Sequence, residues 1–233
     1  LRMADAFITQ GFSFPIAELF RFKGRLVLDL YDPVELEQLT EFGSKPTPRQ
    51  RVSLAHVRAR LKVLLARADN ILCASERQRV YWLGWLSAAG RLTPEGLASD
   101  REARKLLAVV PFGLSEEEPT LSEKTSLRKR FSLKPDDQII LWSGGLWDWM
   151  DSDLPVQALH QLADQQSKAG GRPHLIFLAG PHPAHPTLGG ARVRTKELAV
   201  NLGLAPRVHF VEEWVPYADR GSVLLESSIA VSA

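Results

Sequence analysis

The chain has 233 residues, 45% of them hydrophobic and 24% charged, with 29 Lys/Arg against 27 Asp/Glu for a formal net charge of +2. That apolar share builds a core and excludes a disordered or polyionic chain, and the length fits one large domain or two ordinary ones. No apolar run approaches the ~20 residues of a bilayer span, and the single cysteine, Cys73, excludes an intrachain disulfide and a Cys-rich zinc site, which makes the cytoplasm the default compartment.

In chain order, helical stretches alternate with short apolar strands. The expected elements are helix 13–22, strand 25–31, helix 50–68, strand 70–75, helix 76–89, strand 107–112 and helix 123–131. They continue as strand 138–144, helix 155–168, strand 174–180, helix 192–203, strand 208–211, helix 217–226 and strand 228–232. Segments 139–142 (IILW) and 175–178 (LIFL) are apolar on successive residues, the pattern of strands covered by helices on both faces. The fold class is therefore α/β with mostly parallel sheets. A boundary is expected where 111–115 (PFGLS) runs into the polar Glu116-Glu117-Glu118-Pro119. Charge changes there too, with 17 Lys/Arg against 12 Asp/Glu in 1–115 and 12 against 15 in 116–233. The expected organisation is a first domain over 1–115, a linker and first helix over 116–135, and a second domain over 136–233.

Five features carry candidate chemistry. Strand 25–31 ends in Asp29, Tyr31 and Asp32; a carboxylate there can act as a base or orient a sugar hydroxyl, and Asp32-Pro33 also reads as an ordinary turn. Asp29 and Asp32 do not form a metal pair, because alternation along a strand turns them to opposite faces. Residues 45–67 hold seven Lys/Arg and no acid. On a helical wheel Val57, Leu61, Leu64, Leu65 and Ala68 form an apolar stripe flanked by Arg51, Arg58 and Lys62. That flank is either solvated surface or a contact for anionic lipid headgroups or a phosphorylated acceptor. Segment 81–86 (YWLGWL) either extends such a patch or belongs to the core. Nucleic acid is not an expected partner, since the basic excess is mild and no reader module is visible.

Further on, 139–151 (IILWSGGLWDWMD) takes a buried strand into a Ser143-Gly144-Gly145 turn and toward a helix. Glycines admit a ligand close to backbone amides, and a helix N-terminus favours phosphate; the same pattern serves a plain strand–helix turn, because it is not a G-x-G-x-x-G fingerprint. Its place at the carboxyl end of a strand is where α/β sheets bind ligands. Segment 181–186 (PHPAHP) has two histidines, yet its prolines prevent a helix that would aim both at one zinc ion and no third ligand is evident. A rigid loop is expected there. Segment 211–217 (VEEWVPY) follows a strand, and backbone groups at that point can read the edge of a base.

Taken in order, these pieces resemble the family 4 retaining glycosyltransferases, which have the GT-B fold of two Rossmann-like domains with parallel sheets. The resemblance rests on 70–79 (NILCASERQR), 109–115 (VVPFGLS), 141–146 (LWSGGL), 175–181 (LIFLAGP), 198–204 (LAVNLGL), 207–211 (RVHFV), 215–219 (VPYAD) and 224–232 (LLESSIAVS), in the family's order and spacing. It implies transfer of a sugar from a nucleotide-sugar donor, bound mainly by the second domain, to a glycan or lipid-linked acceptor held by the first. Retention at the anomeric carbon, no cofactor and no obligatory metal follow from the resemblance, with polysaccharide biosynthesis in the cytoplasm as the setting; a peripheral place at the inner face of the membrane is the lipid reading of the Arg51, Arg58 and Lys62 flank. By position it assigns Ser143, Gly144, Gly145, Trp147, Asp148, Glu213, Trp214 and Val215 to the donor, and Tyr31 and Asp32 to catalysis near the transferred sugar.

The sequence departs from the family pattern in three places. Gly145 and Met150 stand where the family usually carries Arg and Lys for the diphosphate, Tyr31 stands where many members have histidine, and Trp147-Asp148-Trp149 marks a distinct subgroup. Against the family's usual length both domains are expected to be incomplete, with further strands before Leu1 and a loop bearing two glutamates after Ala233. Two alternatives stay open: a sugar-nucleotide epimerase of the same fold, and a non-catalytic nucleotide-binding or interaction fragment.

Overall fold

The computed structural model describes residues 4–10, 15–163, 171–180 and 190–232. The chain divides into two compact units, Leu1–Leu114 and Ser115–Ala233. Each is built on a four-stranded sheet whose pairings are all parallel. The class is α/β, and each of the seven expected strands is present, all of them shortened at the carboxyl end.

In unit 1 the strands β1 (Ala6–Gln10), β2 (Arg25–Asp29), β3 (Asn70–Cys73) and β4 (Leu107–Val109) lie side by side in that order. The intervening helices are α1 (Ile16–Arg21), α2 (Val34–Phe42), α3 (Pro48–Arg67), α4 (Glu76–Ala88) and α5 (Pro94–Ser99). Leu26, Leu28, Ile71 and Leu107 from the sheet meet Leu61, Leu64 and Leu65 of α3 and Trp82 and Leu86 of α4 in one buried cluster. The apolar stripe of α3 is thus the side that packs on the sheet. Trp82 and Leu86 are core residues, and Tyr81, Leu83 and Trp85 pack against them, so segment 81–86 is not a membrane-facing patch.

Helix α3 starts two residues earlier than its periodicity suggests, because Thr47 and Gln50 form a reciprocal capping box around Pro48. Gln50 Oε1 accepts from the Thr47 amide at 2.8 Å and Thr47 Oγ1 accepts from the Gln50 amide at 3.3 Å, which satisfies two orphan donors at the helix start. At the other end, Arg91 donates to the carbonyls of Leu65, Ala66 and Ala68, placing a cation on the negative pole of the helix. Cys73 is buried on β3, where its Sγ lies 3.6 Å from the Ala108 carbonyl oxygen, and burial pushes its thiol pKa up.

Strand β1 and helices α2 and α5 have no counterpart among the expected elements. Helix α2 follows the Asp32-Pro33 turn and carries Glu35 inward. Arg58 Nε donates to Glu35 Oε1 at 2.5 Å and the Tyr81 hydroxyl donates to Oε2 at 3.1 Å. Arg58, expected beside Arg51 and Lys62 as part of a basic outer face, therefore has an internal acidic partner.

Unit 2 contains β5 (Gln138–Trp142), β6 (Pro173–Phe177), β7 (Val208–Phe210) and β8 (Ile229–Val231), in the spatial order β7-β6-β5-β8. A short 3₁₀ turn (Glu123–Thr125) and α6 (Leu127–Arg130) precede β5, where one continuous helix at 123–131 is expected. Helices α7 (Asp153–Ala163), α8 (Gly190–Asn201) and α9 (Tyr217–Glu226) follow β5, β6 and β7. Ile139, Leu141 and Ile176 face a cluster with Leu127, Val211 and Val223. Trp142, Leu175 and Phe177 face another with Val156, Leu159 and Ala199. Successive residues of β5 and β6 point into two different cores, which is why these strands are apolar on every residue. The chain builds outward from β5 through β6 to β7 and then returns past β5 to β8, so the strand order reverses between β5 and β8.

Removing the Glu35 carboxylate leaves the Tyr81 hydroxyl and Arg58 without their acceptor. Glu35→Ala is expected to destabilise the protein by about 1–3 kcal/mol, with a lower urea midpoint and an unchanged denaturant slope.

Candidate functional site

The strand order reverses between β5 and β8, and the carboxyl ends of the strands at such a reversal are where open α/β sheets bind ligands. The Ser143–Gly145 turn lies there. Trp142 is buried at the end of β5, and its Nε1 donates to the Gly145 carbonyl at 3.2 Å, folding the turn back over its own strand. Leu146 is buried beyond it. A Cβ on Gly145 would lie 2.6 Å from Trp147 Nε1, so glycine is what lets the indole fold against the turn. Trp147 and Trp149 stack with ring centroids 5.1 Å apart and planes 3° apart.

Asp148, between them, points elsewhere: its Oδ1 accepts from the Ala191 amide at 2.7 Å in the first turn of α8. This carboxylate holds an anionic position at a helix N-terminus, and it ties the β5 loop to α8. Helix α7 begins at Asp153, slightly before its expected start at 155, and the Trp147–Trp149 segment separates its N-terminus from the glycine turn. Met150, at the second position where the resemblance implies a basic residue, packs against the core.

The loop after β7 is the second component. Gly180, at the exit of β6, has no room for a Cβ, which would collide with the Glu213 carbonyl; the two loops are in direct backbone contact. The Arg130 guanidinium forks onto both Glu213 oxygens, with Nη2 to Oε2 at 2.7 Å. That hydrogen bonding holds the Glu213 carboxyl below its ordinary range and raises Arg130. Trp214 is partly exposed with the Arg220 guanidinium 4.6 Å over its ring, and Arg220 Nε donates to the Val215 carbonyl at 3.3 Å. A cavity of about 540 Å³ lies beside this loop, lined by Thr125, Lys129, Arg130, Glu213, Trp214 and Asp219 among others. At the exit of β6, the buried Arg192 donates to the Ala179 carbonyl at 2.8 Å and pairs with Glu212, which also pairs with Lys196 at 2.7 Å.

In unit 1 the carboxyl end of β2 is fastened by side chains of α4. Trp82 Nε1 donates to the Leu30 carbonyl at 2.8 Å, and Gln78 Nε2 donates to the Tyr31 carbonyl at 2.7 Å. The Tyr31 ring meets Phe112 edge-on at 5.1 Å. Asp32 keeps an exposed surface, yet neighbours crowd its carboxyl, which shares a hydrogen bond with Glu37 of α2. Withdrawal from water is the main cause that raises both carboxyls, with the charge of Asp32 adding to the rise of Glu37. The Asp32 charge, followed by burial, raises the Tyr31 hydroxyl.

Sequence reasoning names Tyr31, Asp32, the glycine turn and the Glu213–Val215 loop, but misses Glu37, Arg130 and Arg192. Arg130 lies 83 residues from its partner Glu213, a separation no local pattern bridges. The histidines of 181–186 lie outside the described residues. Among the described residues, no group of three or more His, Cys, Asp or Glu side chains is placed to hold a metal ion, and no helix is long and apolar enough to cross a membrane.

No protein-family model and no curated protein matches this sequence. Solved structures do match. A UDP-forming α,α-trehalose-phosphate synthase from Burkholderia xenovorans superposes with a TM-score of 0.60 at 14% identity, covering 91% of this chain and 48% of that one. A glycosyltransferase from Rickettsia africae gives 0.56 at 14% identity, over 98% of this chain and 51% of the other. The HepE protein of Anabaena, solved in complex with UDP, gives 0.58 at 16% identity, over 92% and 48%. The chain thus has the α/β architecture of GT-B glycosyltransferases, two Rossmann-like units with parallel sheets, and spans about half the length of the structures it matches.

The Asp32–Glu37 pair generates a pH prediction. With folded pKa values above the unfolded ones, the native state binds protons more tightly, so stability is gained as pH falls toward the ordinary carboxylate range and lost as pH rises through the raised values. Glu37→Gln is expected to flatten this slope and to raise stability near neutral pH, as read by urea denaturation across a pH series; an unchanged slope would count against the coupled pair.

Proposed function

We propose that this chain carries the donor-binding part of a glycosyltransferase that moves a glycosyl group from a nucleotide sugar to a glycan or lipid-linked acceptor with retention. One observation supports this most: the Ser143–Gly145 turn stands at the strand-order reversal of a sheet whose fold is that of glycosyltransferases. In this reading Ser143, Gly144 and Gly145 offer backbone and hydroxyl donors to the diphosphate, which suits a leaving group stabilised by fixed amides rather than by a cation. Glu213, Trp214 and Val215 meet the base, and the Arg130 fork holds that loop in one shape. Tyr31 and Asp32 act on the transferred sugar. The Arg51 and Lys62 side of α3 is the part of this proposal that concerns anionic headgroups and the inner face of a membrane; both residues are exposed.

Calorimetry with UDP, GDP, ADP and dTDP tests the donor assignment. Saturable binding of at least one is expected, and no binding of any would overturn it. Arg130→Ala is expected to weaken that binding about two- to fivefold, the scale of an exposed ion pair, without shifting the melting temperature appreciably. Product analysis without acceptor separates an epimerase, which would return an altered nucleotide sugar, from a transferase.

The membrane component has its own assay. The chain should co-sediment with vesicles containing anionic lipid and detach as salt rises; equal sedimentation with neutral vesicles would remove that component.

A further inference from the structure

The stacked tryptophans of the β5 loop do not serve the core. Trp147 and Trp149 leave 38% and 37% of their surface in water, while Leu146, just before them, is buried to 5%. Exposed aromatic surface concentrated at one point marks a contact site more often than a folding element. The loop that carries them is nevertheless tightly specified. Trp142 fixes the Gly145 carbonyl, Asp148 grips the Ala191 amide, the Met150 amide donates to the Trp147 carbonyl at 3.0 Å, and Met150 packs against the core. Such a platform exists before any ligand arrives, so little ordering cost falls on binding.

Position decides what the platform takes. Neighbouring strands lie about 4.8 Å apart, so the β7 loop with Trp214 is roughly 10 Å along the sheet edge from the β5 loop. A nucleotide sugar with its base at the β7 loop and its diphosphate on the glycine turn brings its glycosyl end to the β5 side. A pyranose offers one face of C–H groups to a flat indole and keeps its hydroxyls at the ring edge for other partners. A nucleobase would stack as well, but the base already has Trp214 on the opposite side of the diphosphate. We propose that Trp147 and Trp149 form a stacking platform for the pyranose ring of the donor. The identification of the ring as the donor's rests on the glycosyltransferase reading above.

The test uses this chain with UDP-glucose, GDP-mannose and ADP-glucose, each beside its parent nucleoside diphosphate, and with free methyl glucoside. Saturation-transfer NMR should show protein-to-ligand transfer onto the pyranose C–H protons. Trp149→Ala should weaken the nucleotide sugar at least tenfold while changing the nucleoside diphosphate less than twofold, and Trp149→Phe should recover most of the loss. Near-ultraviolet circular dichroism of each variant controls for folding. Equal weakening of both ligands, or no weakening, overturns the platform and leaves the transferase reading standing. If no nucleotide or nucleotide sugar binds the wild type, the transferase reading fails, and methyl glucoside then decides the platform alone. Quenching of indole fluorescence that disappears in Trp147→Ala and Trp149→Ala supports it, and no quenching overturns it.

Discussion

The second unit depends on the two-sided burial of β5. Ile139 and Leu141 enter one core while Trp142 enters the other, so the strand cannot slip by one residue without sending every side chain to the wrong face. That fixed register sets where the chain emerges at the carboxyl edge. Trp142 then uses its one polar atom to hold the Gly145 carbonyl, and the direction of the following loop is settled by the same residue that ends the strand. Packing and candidate binding geometry are joined in a single side chain.

The first unit solves a related problem with polar contacts. The exit of β2 is held through its backbone by Trp82 and Gln78 from α4, which leaves the side chains of Tyr31 and Asp32 free to be placed by their surroundings. Those surroundings are acidic: Asp29, Asp32 and Glu37 all raise the Tyr31 hydroxyl. A carboxylate pair drawn partly out of water favours holding a proton between its members, which is useful to a group that must donate or accept one, and costly to the fold above the ordinary carboxylate range.

Much of this was legible in the sequence where the physics is local. The seven strands from β2 to β8 show as apolar runs, the α3 stripe shows as helical periodicity, and the glycine turn shows as punctuation after a buried strand. What was not legible depends on distant partners. Strand β1 carries only Ala6, Phe7 and Ile8 before the polar Thr9 and Gln10, and its identity as a strand comes from pairing with β2. Helix α2 is rich in acid and its inward Glu35 becomes intelligible only beside Arg58 and Tyr81, 23 and 46 residues away. The site divides the same way. Gly145 announces itself, whereas Arg130 and Glu37 gain meaning from side chains that folding brings to them.

Cys73 has a practical consequence. It is the one thiol in the sequence, it is buried, and its pKa is pushed upward, so it forms little of the thiolate that alkylating reagents attack. A cysteine introduced at any exposed position would therefore be the sole fast-reacting handle on the folded chain. Site-specific labels can be installed one at a time without first deleting a native residue, and the slow appearance of Cys73 reactivity then serves as an internal clock for the opening of the first unit's core.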